Sequence, residues 1–466
     1  MLLPSLFVQQ MRALLPQADY TLFESALSEP SPVSIRLNPF KQPSPWPAYA
    51  TSALFEGSQN VAWTQDGLYL NRRPPFTTDP LFHQGAYYVQ EASSMFVEQA
   101  IKTALALMND NGSGTAAGIT SRLAIDLCAA PGGKSTLVRS LLPKEWLLLC
   151  NDPVRPRAEV LKENMQKWGH EGVVVTCNRP SDIGSFAGLA DIILVDAPCS
   201  GEGMFRKEEK AVSQWSPTLV EECANRQKEI LQAAWPALRE GGFLIYSTCT
   251  YNTLEDEQNV AFICDELGGE AVAIPTNEDW HISGSLLKGT SLPVYRFLPH
   301  LTRGEGFFLA LIRKTAPTSP TRIKSKSALK PLKRAEQSFL ASQETFFMME
   351  RGAEAWAIPA LHAPIIEALC RKLYPLSAGI PLYTIKGHKQ QPHQALALSR
   401  LANAEAFPTV SLSKDDAINY LHYMPLKLSA PKGFIRLTHE GLGLGFCNNI
   451  GQRANNLYPK EWRILK

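Results

Sequence analysis

The sequence predicts an α/β protein whose central domain is a doubly wound parallel sheet. Between residues 122 and 314, short apolar runs alternate with segments of helical periodicity, and strands separated by helices are typical of such sheets. Two of these runs end shortly before a cysteine, Cys199 in one case and Cys249 in the other. Ligands of open α/β sheets bind beyond the carboxyl ends of the strands. We therefore expect both thiols, with Asp196, at a functional site.

The elements of the chain follow from its apolar pattern. Each strand run is short, apolar and bounded by turn or polar residues. The expected strands are 123–127, 146–150, 173–177, 191–195, 243–247 and 306–312. Helices are expected at 157–168 and 217–238, and an amphipathic helix should open at Pro4 near the N-terminus. Residues 109–121 have the composition of a loop.

The 466-residue chain is long enough for several domains. The predicted divisions are an N-terminal α+β domain (1–107), the central domain (122–314), a basic linker (315–335), an intermediate domain (336–395) and a small β-rich domain (396–466). The basic residues of the linker are Arg322, Lys324, Lys326, Lys330, Lys333 and Arg334. Such a segment is either a solvated linker or a strap that contacts phosphates, and the sequence leaves both interpretations open.

Composition limits the class of protein. The net charge of +2 does not by itself indicate a nucleic-acid partner. Nine cysteines without a Cys-x-x-Cys pair argue against a disulfide framework or a zinc ribbon, and no metal site is expected. No run of about 18 apolar residues would cross a membrane, and the N-terminus lacks a basic leader. The sequence thus predicts a soluble, cytoplasmic protein.

A glycine-containing loop follows the first strand of the central domain. Its sequence is Asp126-Leu-Cys-Ala-Ala-Pro-Gly-Gly-Lys134, and it opens a helix whose free N–H groups can face a ligand. A phosphate-binding P-loop would need glycine at position 128, which is a cysteine. Asp152, after the second strand, can accept hydrogen bonds from ribose hydroxyls or cap the next helix. This combination fits S-adenosylmethionine, a nucleoside without phosphates.

Two thiols beside a carboxylate suggest one reaction in particular. A thiolate that adds to C6 of a cytosine makes C5 nucleophilic toward a methyl sulfonium. A second group must then act as a base, or position one, while the thiolate leaves. Asp196 can bind the N3/N4 edge of the ring, and Lys134 is one candidate for lowering the pKa of the nucleophilic thiol. These considerations do not decide which cysteine is the nucleophile.

Three motifs occur in order along the chain: the loop at 126–134, Asp196-Ala-Pro-Cys-Ser-Gly-Glu-Gly203 and Tyr246-Ser-Thr-Cys-Thr250. Together they resemble the motifs of the Sun/NSUN family of RNA cytosine-5 methyltransferases. The resemblance covers about residues 30–315, including 34–39, 88–95 and 306–308. It implies a Rossmann-like S-adenosylmethionine-dependent methyltransferase core, an N-terminal domain that positions RNA, and a target cytosine that leaves its stack.

The resemblance also implies roles for individual residues. Cys249 corresponds to the nucleophile, Cys199 to the residue that assists product release, and Asp196 completes the catalytic group. DNA cytosine methyltransferases use the Pro-Cys position instead, so the opposite assignment stays open. The cofactor contacts carried over are Cys128, Ala129, Ala130, Pro131, Gly132, Gly133, Lys134, Asp152, Arg157, Asn178 and Asp196.

One position departs from the family pattern. Where the family often offers an aspartate to the adenine amine, this chain has Asn178, with Asp182 four residues further on. The Asn178 carbonyl can still accept a hydrogen bond, so we expect Asn178 to contact the adenine and keep Asp182 as the alternative.

The C-terminal segment at 442–460 looks like the PUA-type RNA-binding end of bacterial members that methylate the 16S ribosomal RNA. We therefore expect a monomeric enzyme that forms 5-methylcytosine in 16S ribosomal RNA or the small ribosomal subunit. A tRNA cytosine-5 methyltransferase is one alternative. An RNA-binding ribosome assembly factor without activity is another, although intact Cys199, Cys249 and Asp196 argue against it.

Overall fold

The computed structural model describes residues 3–41, 55–110, 121–324, 326–387 and 389–465. Most of the loop predicted at 109–121 lies outside these ranges. The N-terminal elements are α1 Ser5–Leu14, α2 Gln17–Ala26, β1 Val33–Leu37, β2 Gln59–Asn60, β3 Gly67–Leu70, α3 Pro80–His83, β4 Tyr87–Val89 and α4 Val97–Asp110. Helix α1 begins after Pro4 as predicted, and it buries Phe7 and Met11, which lie one turn apart. The four strands form one sheet in the order β2-β3-β1-β4.

The central domain is built on a nine-stranded sheet. Its elements are β5 Arg122–Asp126, α5 Gly133–Leu141, β6 Trp146–Asn151, α6 Arg155–Trp168, β7 Val173–Thr176, α7 Pro180–Gly184, β8 Ala190–Asp196, α8 Glu209–Gln214, α9 Pro217–Ala234, β9 Leu238–Thr248, α10 Glu257–Leu267, β10 Gly269–Val272, β11 Val294–Phe297 and β12 Phe307–Lys314. Strands β7-β6-β5-β8-β9 are parallel neighbours in that order. The chain thus winds outward from β5 in both directions, which confirms the doubly wound fold and places a switch point between β5 and β8.

Both faces of this sheet are covered by helices. Leu147 and Leu149 of β6 pack on the side of α7, α9, α10 and α12 (Ala363–Lys372), whereas Leu148 and Cys150 pack on the side of α4, α5 and α6. This alternation explains why the strand is apolar throughout, since parallel strands of doubly wound sheets are buried on both faces.

The last strand differs from the parallel prediction. Strand β12 pairs antiparallel with β9, with Phe308 opposite Thr248. A parallel neighbour needs a crossover connection, usually a helix. The chain instead enters β12 from β11, with which it also pairs antiparallel. The antiparallel direction of β12 therefore follows from the short connection between β11 and β12.

Beyond β12 the chain forms two further sheets. The remaining elements are β13 Lys330–Pro331, α11 Arg334–Gln337, β14 Phe346–Arg351, β15 Glu354–Pro359, α12, β16 Pro375–Ala378, β17 Ile380–Lys386, β18 Lys389–Pro392, α13 Gln394–Leu398, β19 Thr409–Ser411, α14 Lys414–Leu421, β20 Gly433–His439, β21 Leu442–Asn449 and β22 Ala454–Asn456. Strands β13, β14, β15, β17 and β18 form one sheet, and β19 to β22 form the C-terminal one. Strand β16 instead pairs antiparallel with β7 and extends the central sheet. One sheet thus crosses the boundary predicted between the central and intermediate domains.

The basic segment lies extended along the protein. Ile323 and Leu329 pack against the core, while the side chains of its six cations are exposed. The Thr321 N–H donates to the Ala187 carbonyl at 2.7 Å, and the Ser327 hydroxyl donates to Glu367 at 2.7 Å. Because Ala187 precedes the amino end of β8, the segment starts at the sheet edge opposite the cysteines. These contacts hold the segment as a strap.

Within the described ranges, no helix is both long and apolar enough to cross a membrane. The same residues contain no group of three or more His, Cys, Asp and Glu side chains that could hold a metal ion. All nine cysteines are free thiols.

Candidate active site

The site is built where β5, β8 and β9 end. Strand pairing brings Asp196 of β8 opposite Ser247 of β9, and the Ser247 hydroxyl donates to Asp196 Oδ1 at 2.8 Å. After β8 the chain turns through Pro198, whose carbonyl accepts a hydrogen bond from Gln227 at 2.9 Å. Parallel strands thus deliver the two cysteine-bearing loops to one edge of the sheet.

The two predicted cysteines are in contact. Cys199 Sγ and Cys249 Sγ are 3.1 Å apart, although the residues are 50 positions apart in sequence, and both are half-buried. The hydrogen bond with Cys249 raises the pKa of Cys199 well above its ordinary value, with burial adding to the effect. The raised pKa favours the protonated thiol of Cys199, and either sulfur of the contact can be the hydrogen-bond donor.

A partly exposed ion pair lies beside the thiols. Lys134 Nζ is 2.8 Å from Asp196 Oδ2. Burial lowers the pKa of Lys134, but the negative charge of Asp196 more than offsets this, and the charge of a Cys249 thiolate acts in the same direction. The net pKa of Lys134 is raised, so this side chain is a stable cation paired with Asp196.

The loop at 128–134 lines a cavity of about 150 Å³. The predicted site residues that line it are Cys128, Ala129, Ala130, Pro131, Gly133, Lys134 and Asp196. The opposite wall comes from the N-terminal domain and consists of Tyr88, Val89, Gln90, Glu91 and Ser94. A Cβ on Gly133 would lie 3.3 Å from the Tyr88 ring, so the wall closes tightly on the loop.

Arg36 of β1 links this wall to helix α5, which follows the loop at 128–134. Its guanidinium donates to Gln90 Oε1 at 2.8 Å and to the Thr136 hydroxyl on α5 at 2.6 Å. Burial lowers the pKa of Arg36 to about 10. Arg36 and Gln90 lie in sequence motifs, but the sequence alone indicates no role for them, because only the fold brings them to α5.

The chemistry of the cavity suits a cationic nucleoside better than a triphosphate. Glu91, Asp126 and Asp196 line it with carboxylates, and Lys134, the residue that would face phosphates in a P-loop, is paired with Asp196. Asp126 Oδ1 is buried without a hydrogen-bond partner, and burial raises the pKa of Asp126 to about 7. Such a site can hold the sulfonium of S-adenosylmethionine, whose bound form supplies an activated methyl group.

Four other predicted cofactor residues, Gly132, Asp152, Arg157 and Asn178, do not line this cavity. Gly132 has φ 115°, and a Cβ there would point toward Leu161 of α6. Asp152 is buried, and its Oδ1 accepts the Val154 N–H at 2.9 Å. Its Oδ2 lies 3.4 Å from Arg157, which also donates to the Ala130 carbonyl at 3.1 Å. Oδ2 has no hydrogen-bond partner, and this leaves an acceptor for a ribose hydroxyl.

Asn178 lies at the end of β7, and its side chain is already hydrogen-bonded. Its Oδ1 accepts the Tyr374 N–H at 2.8 Å, and its Nδ2 donates to Asp182 Oδ2 at 3.2 Å. One lone pair of the carbonyl therefore remains for an adenine amine. Tyr374 comes from the segment just before β16, so the intermediate region orients this side chain.

Family models match three parts of the chain. Residues 3–92 match the N-terminal domain of 16S rRNA methyltransferase RsmF, residues 120–313 match 16S rRNA methyltransferase RsmB/F, and residues 407–464 match the methyltransferase RsmF PUA domain. Together they cover the N-terminal region, the central sheet and the C-terminal sheet.

Solved structures share the fold over two thirds of the chain. The crystal structure of NSun6 from Pyrococcus horikoshii with SFG has a TM-score of 0.55 at 20% identity, covering 67% of this chain and 98% of its own. A methyltransferase homolog protein from the same organism has a TM-score of 0.51 at 24% identity, covering 67% and 100%. Both support the Rossmann-like architecture of the core.

Curated relatives match over nearly the whole length. The ribosomal RNA small subunit methyltransferase F of Erwinia tasmaniensis is 28% identical, and that of Citrobacter koseri is 31% identical. Each alignment covers 98% of this chain and 96% of the relative. The chain therefore belongs to the ribosomal RNA small subunit methyltransferase F family, whose members methylate 16S ribosomal RNA with S-adenosylmethionine.

Proposed function

We propose that the protein forms 5-methylcytosine in 16S ribosomal RNA through a covalent adduct between Cys249 and C6 of the target base. The observation that carries this proposal is the 3.1 Å contact between Cys199 Sγ and Cys249 Sγ beside the Lys134–Asp196 pair. Two thiols at one carboxylate suit a reaction in which one sulfur adds to the ring and a second group assists its release.

The protonation pattern supports Cys249 as the nucleophile. The pKa of Cys199 is raised, so in this proposal Cys199 stays protonated and is the donor in its contact with Cys249. Cys249 is then the sulfur left to attack C6, and its charge interacts favourably with the Lys134 ammonium. After C5 receives the methyl group, a base takes the C5 proton, the C5–C6 double bond re-forms, and Cys249 leaves C6 as a thiolate. Cys199, whose sulfur is 3.1 Å from that of Cys249, would assist this release by hydrogen-bonding the departing thiolate.

Asp196 is proposed to hold the target base. Its side chain is about one-third exposed, and its oxygens are fixed by Ser247 and Lys134. A carboxylate fixed in this way can accept the N4 amine of cytosine or share a proton with N3, either of which makes C6 more electrophilic.

The cofactor contacts form a second part of the proposal. The loop from Cys128 to Lys134 would bind the methionine and sulfonium part of S-adenosylmethionine. The unpartnered oxygen of Asp152 would accept a ribose hydroxyl, Arg157 would hold this carboxylate against the loop, and Asn178 would reach the adenine amine.

The RNA and the cellular setting complete the proposal. The N-terminal and PUA domains would grip the 16S ribosomal RNA, and one chain supplies every proposed catalytic residue, which favours a monomer. Nine free thiols favour the reducing cytoplasm.

Bisulfite mapping of RNA tests the proposal. Ribosomal and transfer RNA from cells with the gene, without it, and with only a Cys249→Ala copy would be compared. We expect a protected cytosine in 16S ribosomal RNA only where the unmodified gene is present. A site that depends on the gene in transfer RNA instead would overturn the substrate, and no dependent site in either RNA would overturn the reaction.

A further inference from the structure

Two buried carboxylates connect the loops that carry the thiols. We define the Cys199 loop as residues 197–203 and the Cys249 loop as residues 249–255. Glu202 belongs to the first loop and Glu255 to the second, and both side chains are completely buried. Each carboxylate accepts hydrogen bonds from the loop that carries the other cysteine.

Glu202 reaches from the Cys199 loop to the Cys249 loop. Its Oε2 accepts the backbone N–H groups of Tyr251 at 2.7 Å and Asn252 at 2.9 Å. Its Oε1 accepts the Trp215 indole N–H at 3.0 Å and the Gln10 amide at 2.9 Å. The carboxylate therefore fixes the backbone that directly follows Cys249, and it also secures helix α1 over this edge of the site.

Glu255 makes the reverse connection. Its Oε2 accepts the Ser200 N–H at 3.0 Å, and its Oε1 accepts the Ser200 hydroxyl. The remaining partners are Asn252, which donates to Oε1 at 2.8 Å, and Gln227, which donates to Oε2 at 2.7 Å. The residue that directly follows Cys199 is thus held by the loop of Cys249.

The loops also approach each other through their backbones. The Gly203 N–H donates to the Cys249 carbonyl at 2.8 Å. A Cβ on Gly203 would lie 2.5 Å from the Gly306 carbonyl oxygen and 3.0 Å from that of Cys249, so only glycine fits this contact. The separation of the loops is therefore set by a small group of named interactions.

Each of the two carboxylates accepts four hydrogen bonds, and every partner is an N–H or O–H group. A neutral amide cannot replace such a group, because its NH₂ would face two N–H or O–H groups and leave them unsatisfied. The negative charge of Glu255 is also one of the causes that raise the pKa of Cys199.

We propose that Glu202 and Glu255 form a reciprocal clasp, a pair of positioning residues that sets the distance between the two thiols for methyl transfer. This inference rests on the proposed function for its purpose, but the geometry can be tested without RNA. When the clasp is intact, Cys199 and Cys249 are close enough to be oxidised to a disulfide by diamide. The rate of this oxidation reports their separation.

The test compares Glu202→Gln and Glu255→Gln with Glu98→Gln. Glu98 is a buried carboxylate of the N-terminal domain that accepts bonds from Thr64 and Lys102 and lies outside the site. We expect formation of the Cys199–Cys249 disulfide, monitored by mass spectrometry, to slow about tenfold in the two clasp variants, since small displacements strongly reduce reaction rates. Glu202→Gln is the more direct measure of separation, because loss of the Glu255 charge also lowers the pKa of Cys199 and by itself favours oxidation. Glu98→Gln should oxidise at the unmodified rate despite a similar loss of thermal stability.

Three results would overturn the clasp. Unchanged oxidation in both clasp variants would show that the carboxylates do not position the thiols, and equal slowing in Glu98→Gln would show general loosening. If the clasp variants do not fold, Ser200→Ala removes one hydroxyl donor and should slow oxidation by a few-fold, and an unchanged rate would also overturn the clasp. Slow oxidation in the variants combined with no 5-methylcytosine from the unmodified protein would reject the proposed function alone.

Discussion

The order of bond formation distinguishes the two cysteines at the residue scale. In the proposed mechanism, addition to C6 precedes methyl transfer, and elimination follows it. Cys249→Ala should therefore be inactive and form no denaturant-resistant complex with RNA. Cys199→Ala should turn over poorly, by about 10²-fold or more if it loses assistance to release, and accumulate methylated RNA as a covalent adduct. A shifted band on a denaturing gel measures this adduct.

The opposite result is equally informative. An adduct that appears only with Cys249→Ala would assign the nucleophile to Cys199, as in DNA cytosine methyltransferases. Methylation intact in both variants, without any adduct, would exclude covalent catalysis. Cys223→Ala is a matched control, because that cysteine is buried on α9. It should behave like the unmodified protein.

A second prediction at the residue scale concerns Asp126 and the pH dependence of the free energy of unfolding. Burial raises its pKa to about 7 in the folded protein, whereas an aspartate in the unfolded chain titrates near 4. Between about pH 4 and pH 7 the folded protein thus holds a proton that the unfolded chain has released. This contribution to the free energy of unfolding is present below pH 4 and is lost as the pH rises through 7.

Asp126→Asn should remove this dependence, because the neutral amide can still accept the Ser135 hydroxyl bond that Asp126 Oδ2 accepts at 2.6 Å. Thermal unfolding between pH 5 and pH 7.5, about the range of the titration, measures the effect. The variant should lose less stability than the unmodified protein over this range. Asp415→Asn serves as the control, because it removes the charge of an exposed aspartate. Parallel curves for Asp126→Asn and the unmodified protein would contradict the raised pKa.

At the scale of elements, apolar pattern predicted the central domain closely. The strand expected at 146–150 is β6 at Trp146–Asn151, and the helix expected at 157–168 is α6 at Arg155–Trp168. Both segments depend on local periodicity and on turns that bound them. The direction of β12 was not predicted correctly, because pairing with β9 and β11 depends on non-local contacts that periodicity does not report.

The function of the strap, whose basic residues lie at 322–334, can be measured. Its six cations point to solvent, and none forms an ion pair with another described residue. If they contact phosphates, changing Lys324, Lys326, Lys330 and Lys333 to glutamine should flatten the salt dependence of RNA binding. The slope of log K against log salt should fall by about 0.7–0.9 per lost contact.

Filter binding of 16S ribosomal RNA at several salt concentrations measures the slope of the strap variant. Affinity for S-adenosylmethionine should not change, because the strap begins at the sheet edge opposite the cofactor loop. A slope equal to that of the unmodified protein would make the segment a docked connection without a role in RNA binding.

At the scale of the whole molecule, the site depends on contacts that sequence order hides. Motifs identified Cys199, Cys249 and the glycine loop because each lies within a short, recognisable segment. Glu202 lies in the motif at 196–203, and Glu255 follows the motif at 246–250. Their hydrogen-bond partners in the opposite loop nevertheless lie about 50 residues away in the sequence. Strand β16 joins β7 across about 200 residues, and no local signal predicts such a pairing.

This pairing predicts a single cooperative unit across the central and intermediate regions. The Gly379 N–H, just after β16, donates to the Val173 carbonyl of β7 at 3.0 Å. A ligand present at about 100 times its Kd stabilises every amide that exchanges through unfolding of its binding unit by about 2.7 kcal/mol, which is about 100-fold in rate. Saturation with S-adenosylhomocysteine, the demethylated product, should therefore slow exchange at β16 as much as at β5.

Native-state hydrogen exchange followed by mass spectrometry measures this effect. Amides of β20 and β21 form the internal control, because their sheet contains no strand of the central domain. They should be slowed less, since the C-terminal sheet can open locally without opening the cofactor site. If β16 behaves like β20 rather than like β5, the intermediate region opens independently. Its hydrogen bond from Tyr374 to Asn178 would then be too transient to orient the end of the cofactor site.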